Sequence, residues 1–231
     1  MSADVAKINA AAAALDFVED GMLLGLGTGS TAAHFVRLLG ARVQKGLKVR
    51  GVPTSEATDK LAREVGVPLV PVDRVGALDL AVDGADEVDG DFRLIKGGGA
   101  ALLREKIIAC AAKHFVVIAD ETKMVARLGA FPLPVEVTPF GFTLTAQRIY
   151  DALKAHGCQG TEAGLRERDG KPVVTDGGNY VIDCKCEAIP DAEGLADALK
   201  RITGVVEHGL FLGMARTVIV GKAKGADVRE R

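Results

Sequence analysis

Cysteine is scarce. Four in 231 residues, at positions 110, 158, 184 and 186, are too few for the disulfide framework of a secreted domain, so reduced thiols in a cytoplasmic setting are expected. Histidine is equally sparse, with four in the chain and none paired at ligand spacing. Cys184 and Cys186 read as one face of a strand, so no metal is expected. The formal net charge is only −2, which leaves no basic field for nucleic acid or for an anionic membrane. No apolar run approaches the roughly 20 residues that a membrane-spanning helix needs. The alanine-rich N-terminal segment carries charges along its length and lacks the ordered regions of a signal peptide. What remains is a soluble globular protein. A hydrophobic content of 48% against 26% charged residues allows a sizeable core, in one large domain or one domain with a smaller partner.

The chain alternates between apolar runs and helical patterns. Residues 4–18 have helical character and stop before Gly21. MLLGLG then leads into TGSTAAHFVRLLG, a strand, a glycine turn and a helix. VRGV followed by TSEATDKLAREVG repeats the unit, with Thr54 or Ser55 as cap and Gly66 as stop. VPLVPV, LDLAV, RLIK and FVVIAD continue as short buried strands. Strands alternating with helices predict an α/β fold, a mainly parallel Rossmann-like sheet with helices on both faces. From Pro132 the pattern becomes strand, helix (144–155), hairpin (KPVVTD and NYVIDCKC) and helix (195–202), which predicts a small α+β domain. The expected division is residues 1–130 with 206–231 in the sheet domain and 131–205 in the small one. LFLGMARTVIVG is expected to rejoin the first sheet.

Ligands of open parallel sheets sit beyond the carboxyl ends of the strands. GTGST, DGAD and KGGG each follow a predicted strand, so they are expected along one edge. In the first, Thr28, Gly29, Ser30 and Thr31 open a helix, an arrangement of amides and hydroxyls suited to an anion; a tight turn with a Ser or Thr cap explains the loop equally well. The glycines do not match the dinucleotide fingerprint, and no Gly-Lys-Ser/Thr follows. In the second, Asp83, Gly84, Ala85 and Asp86 carry more acid than a turn requires. In the third, Lys96 precedes Gly97, Gly98 and Gly99, where a lysine could hold phosphate or stabilise an oxyanion. On that motif alone, a solvent-facing lysine fits better. Glu105 lies in AALLREKIIACAA with apolar neighbours three and four positions away, but so do Arg104 and Lys106. Periodicity does not choose among them.

Taken in order, GLGTGSTAAHF, VDGADEVD, KGGGAALLREKI and FPLPVEV resemble ribose-5-phosphate isomerase of the A type over nearly the whole chain. The resemblance implies interconversion of D-ribose 5-phosphate and D-ribulose 5-phosphate in the pentose phosphate pathway, with no cofactor and no metal. By motif position it implies Glu105 as the base, with Asp83 and Lys96 assisting ring opening and charge stabilisation and Asp86 orienting hydroxyls. Substrate contacts carried over are Thr28–Thr31, residues 83–86, Lys96 with Gly97–Gly99, and Lys123 in ADETK, with Lys7 reaching toward the phosphate. A homodimer or homotetramer is implied. Residue types alone do not say which aspartate serves ring opening. Other phosphosugar isomerases, lactonases and a sugar-phosphate sensor domain are the rival readings.

Overall fold

The computed structural model describes residues 3–160 and 162–231. In chain order the first half runs α1 (Ala3–Ala14), β1 (Leu23–Leu26), α2 (Ser30–Gln44), β2 (Arg50–Pro53), α3 (Glu56–Glu64), β3 (Leu78–Gly84), β4 (Glu87–Val88), β5 (Leu94–Ile95), α4 (Leu102–Ala111) and β6 (Ala112–Asp120). The second half runs β7 (Leu133–Val137), α5 (Phe142–Ala155), β8 (Glu162–Leu165), β9 (Glu167–Arg168), β10 (Lys171–Pro172), β11 (Tyr180–Lys185), α6 (Ala192–Lys200), β12 (Val205–His208), β13 (Leu210–Phe211), β14 (Thr217–Gly221) and β15 (Ala226–Glu230). Two compact units result. One comprises the chain up to Ala85, Arg104–Met124 and Gly213–Arg231; the other comprises Asp86–Leu103 and Val125–Leu212.

The first unit is built on a six-stranded sheet in the order β15-β14-β6-β3-β1-β2. All neighbours pair parallel except β14 with β15. Strand alternation sends Leu24, Leu26, Leu80, Val82, Val116 and Ile118 to one face, where they pack on the alanines of α1 and on Phe35 and Leu39 of α2. Small residues set the spacing: a Cβ on Gly221 would lie 1.9 Å from the Ala6 carbonyl oxygen, so the close approach of α1 to β14 there requires glycine. The opposite face presents Gly25 and Ala81 to α4, whose Ile108 Cγ2 occupies the place of a Gly25 side chain at 2.4 Å. Helices therefore cover both faces, as the alternation predicts.

The second unit contains a four-stranded antiparallel sheet, β12-β7-β11-β8, and a three-stranded one, β13-β5-β4. Leu133, Val135, Val137, Ile182 and Cys184 face α5 and α6 through Ile149, Leu153, Leu195 and Leu199. Cys184 and Cys186 do share that apolar side, and burial raises the Cys184 thiol well above its ordinary range.

Several expectations need correction. VPLVPV is not a strand, because Pro68 and Pro71 supply no N–H and only the Gly51–Leu69 bridge forms. KPVVTD does not make a hairpin ladder with β11. Only Val174 bridges Tyr180, and β11 pairs instead with β7 and with β8, which the sequence did not announce. KGGG follows β5, which belongs to the three-stranded sheet and not to the parallel one. Leu210 and Phe211 likewise pair with β5, so the tail rejoins the first sheet only at Thr217. The units thus group residues 86–103, 125–130 and 206–212 with the smaller body, unlike the expected division. The Glu87 carboxylate helps explain this, since it accepts the N–H groups of Gly129 and Phe131 at 2.7 and 2.5 Å.

Candidate active site

In the first unit, four parallel strands end side by side. Gly27 to Thr31 follow β1, Thr54 and Ser55 follow β2, Asp83 lies at the end of β3, and Lys123 sits in a single helical turn after β6. That turn is capped by Asp120, which accepts the Thr122 N–H at 3.0 Å. Gly29 adopts φ +107° immediately before α2, so the chain can enter the helix with Gly29 and Ser30 exposed. The Lys7 ammonium reaches Ser30 Oγ at 2.9 Å, bringing a cation from α1 to the loop.

Thr28 is turned the other way. Its hydroxyl lies 2.7 Å from Thr54 Oγ1, 2.8 Å from Ser55 Oγ and 3.2 Å from Thr58 Oγ1. Thr58 Oγ1 in turn donates to the Gly27 carbonyl at 2.9 Å, and Ser55 caps α3. This hydroxyl cluster ties the ends of β1 and β2 together. Its one legible sign was TSEAT, taken as a helix cap alone.

Asp83 is 3% exposed. Its Oδ1 accepts the N–H groups of Thr28 at 3.0 Å and Gly84 at 2.7 Å, so the acid is fixed by the loop beside it. Gly27 is the reason it fits: a Cβ there would sit 2.2 Å from Asp83 Oδ1. Glu105 settles the ambiguity among the three charges of α4. It is 5% exposed, whereas Arg104 and Lys106 are half-buried and Ile107 faces outward. Glu105 and Asp83 line one small gap between α4 and the sheet, too tight to admit a water molecule, together with Gly25, Gly27 and Thr54. Two carboxylates lining one gap, next to a loop suited to an anion, can share the handling of protons.

In the second unit, Lys96 follows β5 and is 2% exposed, so the solvent-facing reading is overturned. Its N–H donates to the Gly209 carbonyl at 2.9 Å, and its ammonium lies 5.5 Å from the centre of the Phe211 ring. Burying an ammonium is costly unless it is compensated. Gly97 takes φ +107° and Ala100 φ +59°. The Gly98 N–H donates to Asp86 Oδ2 at 2.8 Å, with Asp86 itself held by its N–H to the Ile95 carbonyl at 2.8 Å. Gly98 and Gly99 are exposed.

The first unit therefore brings together Lys7, Thr28–Thr31, Asp83, Glu105 and Lys123, and the second brings together Asp86, Lys96 and Gly97–Gly99. Gly84 and Ala85 end the first unit's run at the boundary. Sequence reasoning missed the Thr54–Ser55–Thr58 cluster and an arginine, Arg166, that contacts the glycine loop. Among the described residues no group of three or more His, Cys, Asp or Glu side chains is placed to hold a metal ion. None of their helices is long and apolar enough to cross a membrane.

The family model for ribose 5-phosphate isomerase A (phosphoriboisomerase A) matches residues 50–225. A ribose-5-phosphate isomerase A of Maricaulis maris is 60% identical over 226 residues, covering 97% of each chain. The solved ribose 5-phosphate isomerase A of Methanocaldococcus jannaschii superposes with a TM-score of 0.90 at 42% identity, over 100% of both chains. A D-ribose-5-phosphate isomerase in complex with phospho-erythronic acid gives 0.92 at 43% identity, again over 100% of both.

Proposed function

We propose, from the premise that this chain belongs to the ribose 5-phosphate isomerase A family, that Glu105 is the base of its reaction. That reaction interconverts D-ribose 5-phosphate and D-ribulose 5-phosphate. In the open-chain aldose, Glu105 removes the proton on C2 and returns it to C1, while a proton passes from O2 to O1 through an enediolate. A positioned base of this kind contributes about 10²–10⁴-fold. Charge develops on the two oxygens, and Lys96 with the Gly97–Gly99 loop supplies donors, each worth on the order of 10²–10³-fold when preorganised, the Gly98 N–H acting through the Asp86 carboxylate that it holds. Asp83 and Lys96 assist ring opening, and Asp86 orients the sugar hydroxyls. Gly29, Ser30 and Thr31, with Thr28 behind them, hold the phosphate alongside Lys7 and Lys123. A fixed phosphate places C1 and C2 against the base.

The observation that carries the assignment is the burial of Glu105, and not of Arg104 or Lys106, beside the gap that Asp83 also lines. In the same reading the enzyme works in the cytoplasm, in the non-oxidative pentose phosphate pathway, as a homodimer or homotetramer. The test follows ribose 5-phosphate conversion in the presence of a metal chelator, with Glu105→Gln beside the wild type. Chelator-resistant turnover and a loss of at least roughly 10²-fold in the variant are expected. Full activity in the variant would remove Glu105 from the mechanism.

A further inference from the structure

The antiparallel sheet of the second unit sends one side chain to the glycine loop. Arg166, just past β8, is held by backbone on both sides: its N–H donates to the Val181 carbonyl at 2.8 Å, and its carbonyl accepts the Val173 N–H at 2.9 Å. Its side chain is 14% exposed. Nε and Nη2 donate to the two oxygens of Asp183 on β11, at 2.8 and 2.5 Å, a forked pairing that fixes the plane of the group. The remaining Nη1 donates to the carbonyl oxygens of Gly97 at 2.9 Å and Gly98 at 3.1 Å.

Those carbonyls decide where the loop's amides point. In a trans peptide the C=O and the following N–H are directed oppositely. Holding the Gly97 and Gly98 carbonyls toward Arg166 therefore directs the N–H groups of Gly98 and Gly99 away from it. The Gly98 N–H does meet Asp86 on that side. Consecutive glycines have the least conformational preference of any residues, so without such a clamp both peptide planes are free to rotate. Donors aimed in advance cost no reorganisation when charge develops, and donors that must be found do.

We propose that Arg166, oriented by Asp183, is a positioning residue for the isomerisation. It sets the peptide planes of residues 97–99 so that the Gly99 amide, and Asp86 through the Gly98 N–H, are preorganised toward the substrate's oxygens. Arg166 does not itself touch substrate. The proposal rests on the isomerase reading above, and the wild-type assay separates the two: absent wild-type turnover of ribose 5-phosphate would fail that reading first.

The experiment compares Arg166→Met, Arg166→Lys and Asp183→Asn with the wild type. It measures kcat and KM for ribose 5-phosphate, calorimetric affinity for phospho-erythronic acid and for inorganic phosphate, and thermal unfolding. Arg166→Met is expected to lower kcat by about 10–100-fold, with KM within about threefold. Affinity for phospho-erythronic acid should fall in parallel, while that for inorganic phosphate is unchanged. Lysine keeps the charge but cannot hold a carboxylate fork and two carbonyls at once, so Arg166→Lys should not rescue. Asp183→Asn should fall between. A folded Arg166→Met or Arg166→Lys with kcat within about twofold of wild type overturns the proposal, as a lost donor normally costs far more. So does failure of all three variants to fold, which would make the pair structural only.

Discussion

The two units each carry a glycine-rich loop, and they hold it by different means. In the parallel unit, Gly27–Thr31 is bound by neighbouring strand ends: the Gly27 N–H donates to the Val82 carbonyl at 2.9 Å, Thr28 to Asp83, and Thr58 to the Gly27 carbonyl. In the antiparallel unit, Gly97–Gly99 follows a strand of only two residues, Leu94–Ile95. It is fixed by charge, through Asp86 on one side and the Arg166–Asp183 pair on the other. Sheet topology alone delivers the first set of contacts, because adjacent parallel strands end together. The second depends on two charged side chains, Asp86 nearby and Arg166 far along the sequence. A loop held by its sheet resists substitution of a single partner better than one held by two side chains.

The contrast can be broken or sharpened in order of expected effect. Lys96→Met keeps the shape of the buried stem and removes its charge. Activity should fall by about 10²–10³-fold in protein that circular dichroism shows to be folded. A variant that does not fold would mean that Lys96 serves the fold. Gly27→Ala tests the parallel unit. Its Cβ would fall on the Asp83 carboxylate, and displacing that acid by about 1 Å should cost on the order of 10²-fold in kcat/KM. Wild-type turnover in that variant would detach Asp83 from the chemistry.

The smallest effect lies at the opposite end of the parallel strands. Asp79 accepts the Leu23 N–H at 3.0 Å and pairs with Lys113 at 2.8 Å; these two contacts hold its carboxyl below the ordinary value of 3.8. A depressed carboxylate stabilises the fold fully above its unfolded pKa and loses that contribution as pH falls through the folded one. Asp79→Asn should therefore melt below wild type near neutral pH, and the gap should close below about pH 4. Melts at several pH values would check the sign. A gap that widens in acid would exclude this linkage.

How much of this was legible follows from the same contrast. Strand, glycine turn and helix repeat through the first unit, so its sheet, its covering helices and the GTGST loop can be read from periodicity. Glu105 could not be read, because α4 inverts the usual pattern: the acid is buried while Ile107 is 51% exposed. Lys96 was misread for a related reason, since two-residue strands have no period that says which side is inside. Arg166 gave no local signal at all. It is one charge among several in LRERDGK, and only the pairing of β8 with β11 gives it Asp183 as a partner. VPLVPV was misread in the other direction, its apolar content outweighing two prolines that cannot donate to a ladder.

Those prolines have a further consequence. An open sheet ends in strands whose free edges invite any extended segment to add on, including one from a neighbouring, incompletely folded copy. Here the β2 edge meets a segment that bonds only at Gly51, through the Pro68 carbonyl and the Val70 N–H, and that offers no N–H at Pro68 or Pro71. The other edge, β15, carries Asp227, Arg229 and Glu230. A mainly parallel sheet assembles from distant segments and is slow to complete, so its borders stand open for longer than those of a helical bundle. Proline on one border and alternating charge on the other protect the chain against aggregation during that interval.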